Sequence, residues 1–260
     1  TPLYSSAASD VYKRQEYTYT VSLAAAKDPG YTIEGNGSYT VTSADGLMNV
    51  AELVNGGKTD INITLDKNID LTGKDWTPIG TDYDNSYKGT FDGGGHTITG
   101  LTFTTNDEYA GLFGWLNRAG TVKNVVMEGV QITSNQIYGG SIGGVVGSSW
   151  GTIENCSVSG SVSGTVYVGG VVGVQIGGSI TGCSSSATVK GTLNVGGVAG
   201  QTIFGATLTA CYATGNVIIE IDRTQNISGG GLVGFNDGIS LLSCYATGNV
   251  TSTGSSTGYV

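Results

Sequence analysis

The chain has 260 residues and 38% hydrophobic side chains, enough for a folded core, yet only 12% are charged and 45 are glycine. A net charge of −9 argues against nucleic acid or anionic lipid as a partner. No apolar run reaches the roughly 18 residues of a membrane-spanning helix, so no membrane insertion is expected in this segment.

Taken in order, residues 1–15, with Ala8-Ser-Asp-Val-Tyr-Lys-Arg-Gln15, read as a non-native leader and are set aside from the fold. Residues 16–42 alternate apolar and polar positions around Asp28-Pro29-Gly30 and Glu34-Gly35-Asn36-Gly37, a β-rich stretch that is either an upstream-domain remnant or a cap. Residues 43–109 hold a cap helix and divergent first coils. Ser43 is an N-cap, Leu47, Val50, Ala51 and Val54 share a helical face, and Asn55-Gly56-Gly57 stops the run. Ile61, Ile63, Leu65, Ile69 and Leu71 alternate as strands, and 72–88 reads as a polar loop with Trp76 as its one large anchor.

From 110 to 260 one pattern repeats: Ala110-Gly-Leu-Phe-Gly114, Gly143-Gly-Val-Val-Gly147, Gly169-Gly-Val-Val-Gly173, Gly196-Gly-Val-Ala-Gly200 and Gly230-Gly-Leu-Val-Gly234. The closing glycines lie 33, 26, 27 and 34 residues apart, a solenoid period too short for a four-stranded propeller blade. Cys156, Cys183, Cys211 and Cys244 follow at 9 to 11 residues, with Val125 in that place in the first repeat. Six residues further stand Val162, Val189, Val217 and Val250, an even spacing that puts cysteine and valine on one strand face. Glycine, valine, threonine and serine dominate, and no helical stripe runs through the array. The reading is an all-β, right-handed, single-stranded parallel β-helix with about three short strands per coil. The glycines belong where a coil bends or where backbones approach closely. The final Gly258-Tyr-Val260 echoes Val166-Tyr-Val168, as if the array continued mid-repeat.

Gly-Gly-Leu/Val-Val-Gly followed by Cys211-Tyr-Ala-Thr-Gly-Asn-Val217 and Cys244-Tyr-Ala-Thr-Gly-Asn-Val250 resembles the GLUG-motif repeat of bacterial surface and secreted proteins. Trp76-Thr-Pro-Ile-Gly80 and Gly89-Thr-Phe-Asp-Gly-Gly-Gly-His-Thr-Ile-Thr-Gly-Leu101 resemble the lead-in to such arrays. The resemblance implies an extracellular or cell-surface, adhesin-like setting, or repeats placed beside a peptidase domain.

Catalytic, metal and cofactor sites find little support. The cysteines lack paired metal-ligand spacing and read as a reduced core ladder. His96 follows Asp92 without a nucleophile. Asp82-Tyr-Asp-Asn-Ser86 lacks the glycine and glutamate of a calcium loop and reads as a solvated acidic turn. Arg118, Lys123, Lys190 and Arg223, with the acids Glu128, Glu154, Glu220, Asp222 and Asp237, do not fall on one face as a polysaccharide-cleaving site requires. Tyr212 and Tyr245 follow ladder cysteines, point outward on neighbouring coils and are the glycan-contact candidates. The expected role is a non-catalytic stalk or adhesin-like surface whose partner is a surface glycan or a host protein, with further domains of the same chain. A carbohydrate-binding or polysaccharide-degrading β-helix and an accessory region of a larger surface peptidase are the alternatives.

Overall fold

A computed structural model describes residues 28–221, 227–238 and 240–253. The expected leader, residues 16–27, Asp222, Arg223 and the terminal echo at 258–260 lie outside the described residues. The chain winds as a parallel β-solenoid of about six turns with a single short helix among the described residues. Each coil has four strand positions rather than three. In one coil they are Ser141–Gly143, Val146–Ser149, Thr152–Glu154 and Ser157–Ser163. Stacking places these positions in four sheets, here called first to fourth in that order. The miscount has a simple cause. The glycine-rich pattern contains a strand on each side of a two-residue corner, so it holds two strands and not one bend.

Stacking is in register, so like side chains form columns. Ile142 pairs with Val168 and Val168 with Val195 in the first sheet. Ile153, Ile180 and Leu208 follow one another in the third, and Val162, Val189, Val217 and Val250 in the fourth. All of these except Val250 are fully buried and belong to one continuous core. Each coil lends its inward residues to both neighbours, which is how a chain with few large side chains keeps water out.

The three glycines of the pattern are required by space, since none of Gly143, Gly144 and Gly147 or their counterparts has a positive φ. Each of the three has its own reason. A Cβ on the first would meet the carbonyl three residues on: 2.3 Å from Val146 O at Gly143, 2.0 Å from Val172 O at Gly169, 2.1 Å from Ala199 O at Gly196. A Cβ on the second would strike the next coil's carbonyl, such as Gly197 O at 2.2 Å from Gly170. A Cβ on the third would run into a first-sheet backbone nitrogen of the preceding coil: Ile142 N at 2.4 Å from Gly173, Val168 N at 2.6 Å from Gly200, Val195 N at 2.4 Å from Gly234. The first and second sheets therefore touch backbone to backbone, and any side chain would part them. Ala110 stands at the first position in the earliest repeat.

The corner between the third and fourth sheets is left-handed in the five coils from Thr121 onward. Asn124, Asn155, Ala210 and Ser243 have φ of 50 to 55°, and Gly182 has 63°. The ladder cysteine comes next, and its thiol donates across the corner to the carbonyl two residues back: Cys156 to Glu154 at 3.2 Å, Cys183 to Thr181 at 3.4 Å, Cys211 to Thr209 at 3.3 Å. Cysteine thus serves as a small apolar side chain with one weak donor. All four are free thiols; three are buried and Cys244 is half-buried. Sulfur–sulfur contact pushes the Cys183 and Cys211 thiols up, with burial adding to it.

At the N-terminal end, the hairpin β1 (Tyr31–Ile33) and β2 (Tyr39–Val41) starts the third sheet, β2 pairing in parallel with Ile63–Leu65. Helix α1 (Ala44–Asn55) follows, with Ser43 Oγ accepting from Gly46 N at 3.1 Å. Its buried Leu47, Val50, Ala51 and Val54 join the solenoid core. Asn55 fixes the other end, donating to Pro78 O at 3.0 Å and accepting from Gly80 N at 2.8 Å. The stretch 72–88 is more than a polar loop. Besides Trp76, Ile79 and Tyr87 are fully buried and bridge to Phe113 and Leu116, extending the second sheet. Burial pushes the Tyr87 hydroxyl pKa up, and that hydroxyl donates to Ile61 O at 2.8 Å.

Coil lengths differ at corners and at one bulge, between Met127 and Val130 in the fourth sheet. From the last fourth-sheet column to the first sheet takes six residues at Val162–Val168 and Val189–Val195, but ten at Ile132–Ile142 and twelve at Val217–Gly229. The column register is unchanged across these insertions.

Candidate binding surfaces

Tyr212 and Tyr245 occupy one column of the fourth sheet, after Ser157 and Ser184. Their rings stack at 5.2 Å and 5°, with residue exposures of 38% and 55%. Each ring spends one face on the other. What remains for a ligand is a pair of edges and one outer face of each ring, that of Tyr212 lying above the small Ser184 side chain.

The charged candidates do not converge. Lys123 pairs with Asp92 at 3.2 Å on the third sheet, and Lys190 with Glu220 at 2.7 Å on the fourth. Asp92 also accepts from Gly94 N and Asn124 Nδ2 at 2.9 Å each, so its carboxylate is committed to Lys123 and its own corner rather than to His96. Asp92 is partly desolvated, yet these hydrogen bonds and the lysine hold it below the usual carboxylate range. In the loop at 82–86, Asp82 accepts from the Asn85 side chain, from Asn85 N and Asp84 N, and from Thr81. The Asn85 contacts lower its pKa most. Among the described residues no three His, Cys, Asp or Glu side chains gather as metal ligands would.

A different surface lies on the corner between the second and third sheets. A groove of about 310 Å³ there is lined by Tyr83, Asn117, Arg118 and Trp150. The Arg118 guanidinium lies over the Trp150 ring at 5.0 Å. Phe204, two coils beyond Trp150, stacks towards it at 6.4 Å and 9°. Gly177 stands in the coil between and offers no side chain; a Cβ there would sit 3.5 Å from the Trp150 ring. Tyr83 and Phe204 are 65% and 73% exposed. Behind Tyr83, edge-on at 5.7 Å, is the buried Trp115, whose indole N–H has no acceptor among the described residues. Sequence reading missed this group because its members fall at unequal offsets in corner loops. The one available signal was a tryptophan, a phenylalanine and an arginine in an otherwise small-residue array.

A second groove, of about 480 Å³, follows the corner between the fourth and first sheets and includes Tyr138, Val166, Tyr167 and Leu193.

The architecture is a β-solenoid built of stacked, glycine-closed coils. Its coils at 138–163, 164–190 and 225–251 match the GLUG motif, so the chain carries GLUG-motif repeats on a parallel β-helix. Over 120 residues it is 38% identical to halomucin of Haloquadratum walsbyi, covering 42% of this chain and 1% of halomucin. Over 129 residues it is 34% identical to a "Putative Gly-rich membrane protein" of Evansella cellulosilytica, covering 46% of this chain and 14% of that one. The chain thus spans a small part of the length of these relatives. In fold it is similar to the crystal structure of a "putative immunoglobulin A1 protease" from Bacteroides ovatus, with a TM-score of 0.69 at 24% identity, over 87% of this chain and 70% of that one.

Proposed function

We propose that this chain is a non-catalytic section of a secreted or cell-surface protein, a stiff β-helical stalk that presents binding surface in adhesion. The observation that carries the reading is the unbroken set of side-chain columns: the core runs from the helix through every coil, and Arg118, Lys123 and Lys190 are each stacked or paired singly on different faces. A rod of this kind resists bending because each coil is hydrogen-bonded to the next along four sheets. Acid–base cleavage of a polysaccharide calls for two carboxyls at a set separation, and Asp92, Glu220 and Asp82 are engaged by lysines or their own turn instead. One relative's name as a membrane protein supports the setting.

The test couples the full chain to beads and measures their attachment under flow to mucin-coated and bare surfaces, while new reducing or unsaturated sugar ends are assayed in the medium. Attachment to the coated surface without release of sugar ends is the expected result. Polysaccharide cleavage, or equal behaviour on both surfaces, would overturn the proposal.

A further inference from the structure

We infer that the corner between the second and third sheets is a binding site for an oligosaccharide bearing a carboxylate, with the outer face of Phe204 as the stacking surface, Trp150 backing it, and Arg118 as the anion contact. This rests on the reading of the chain as a presenter of binding surface and names a site and a ligand class for it.

Two independent observations point there. The first is backbone strain. Phe204 has a φ of 53°, a left-handed conformation that a bulky side chain rarely adopts, while the coil before it uses Gly177 and Gly178 at φ of 111° and 63°. The strain does not serve the core, since Phe204 is 73% exposed. It holds a phenyl ring out in solvent, parallel to Trp150. The second is Arg118. It is exposed, lies over the Trp150 ring with its central carbon 5.0 Å from the centroid, and has no carboxylate partner among the described residues. A stacked guanidinium keeps its in-plane N–H groups free, and their fork matches a carboxylate. The nearby Asp82 is already engaged by its own loop.

The shape favours a sugar over a protein. The column is one ring wide, and its groove of about 310 Å³ is at the small end of the range for small-ligand pockets. A pyranose presents an apolar C–H face to an aromatic ring and a polar rim to groups such as Asn117 and Arg118, the mixture this corner offers.

The experiment is an array of neutral oligosaccharides and their uronate- or sialate-bearing counterparts, probed with the full chain and three variants. The chain binds carboxylate-bearing members in preference to neutral ones. Phe204→Gly weakens that binding about ten-fold while its melting temperature stays level or rises, because glycine relieves the backbone. Arg118→Gln removes the preference for acidic members. The Tyr212→Ala, Tyr245→Ala double variant binds as the parent does. Silence on acidic glycans, a preference for neutral ones, or loss only in the tyrosine variant would overturn the inference. Beads that still attach to mucin under flow in that case would leave the stalk reading standing, so the two failures are distinguishable.

Discussion

If the third glycine of each pattern is demanded by space, then Gly173→Ala must force two sheets apart. The Cβ would lie 2.4 Å from Ile142 N and 2.7 Å from both Gly147 O and Ser141 C, about an ångström inside ordinary contact at the closest point. All three are backbone atoms of stacked, hydrogen-bonded strands, so none can swing away. Overpacking of this kind costs about 1–3 kcal/mol, and the rigidity of the neighbours places this case near 3. The φ at Gly173 is one alanine accepts, so the change also trims the unfolded ensemble and returns about 0.4–1 kcal/mol. The net loss is about 2 kcal/mol, which for a chain of this size lowers the melting temperature by about 4–8 °C. Gly35→Ala is the matched control: its Cβ meets nothing within 4 Å and its φ is not positive, so only the stabilising effect remains. Thermal unfolding followed by far-ultraviolet circular dichroism on the full chain, parent and both variants, decides the matter. A Gly173→Ala melting point equal to that of Gly35→Ala would refute the backbone-to-backbone contact.

Ala210→Gly relieves an exposed left-handed residue at φ 53° and stabilises by about 1 kcal/mol; an unchanged or lower melting temperature would count against the strained corner. Of the four thiols, only half-buried Cys244 should react with a thiol reagent in the native chain, and all four after denaturation. Fast labelling of Cys183 would contradict its burial and raised pKa. Asp82 has a folded pKa below its unfolded value, so its contribution is present above the ordinary carboxylate range and lost as the pH falls through the folded pKa. Asp82→Asn should therefore flatten the acid limb of the stability curve, measured as denaturation midpoint against pH; an unaltered limb would remove the Asn85 contacts as its cause.

Much of the fold was legible because a solenoid writes its geometry at fixed offsets. The even spacing from Cys156 to Val162 and from Cys183 to Val189 put both on the inner face, and burial at those positions follows. The helix over Ala44–Asn55 has the cap, the apolar face and the stop that its residues announce. Other features left weaker traces. Asn124, Asn155 and Gly182 hint at a left-handed corner, but Ala210 and Ser243 hide it, since neither residue favours that conformation alone. Tyr87 looked like part of a polar loop because its neighbours are polar; only the bridge to Leu116 shows that the loop substitutes for a coil. Trp150 and Phe204 are 54 positions apart, one more than the spacing of Gly147 and Gly200, so the repeat puts them at equivalent corners two coils apart but does not say that their rings meet. Contact between such residues follows from stacking and cannot be read along the chain.

The corner that takes six residues in some coils and ten or twelve in others carries one more consequence. Because register is kept by columns far from that corner, its length and composition are free of the demands that fix the glycines and the inner valines. One edge of the rod can therefore vary from copy to copy and lineage to lineage while the frame beneath it stays constant. A protein meeting changing surfaces gains from that separation, since a new loop alters what the edge displays without putting the folding of the whole stack at risk.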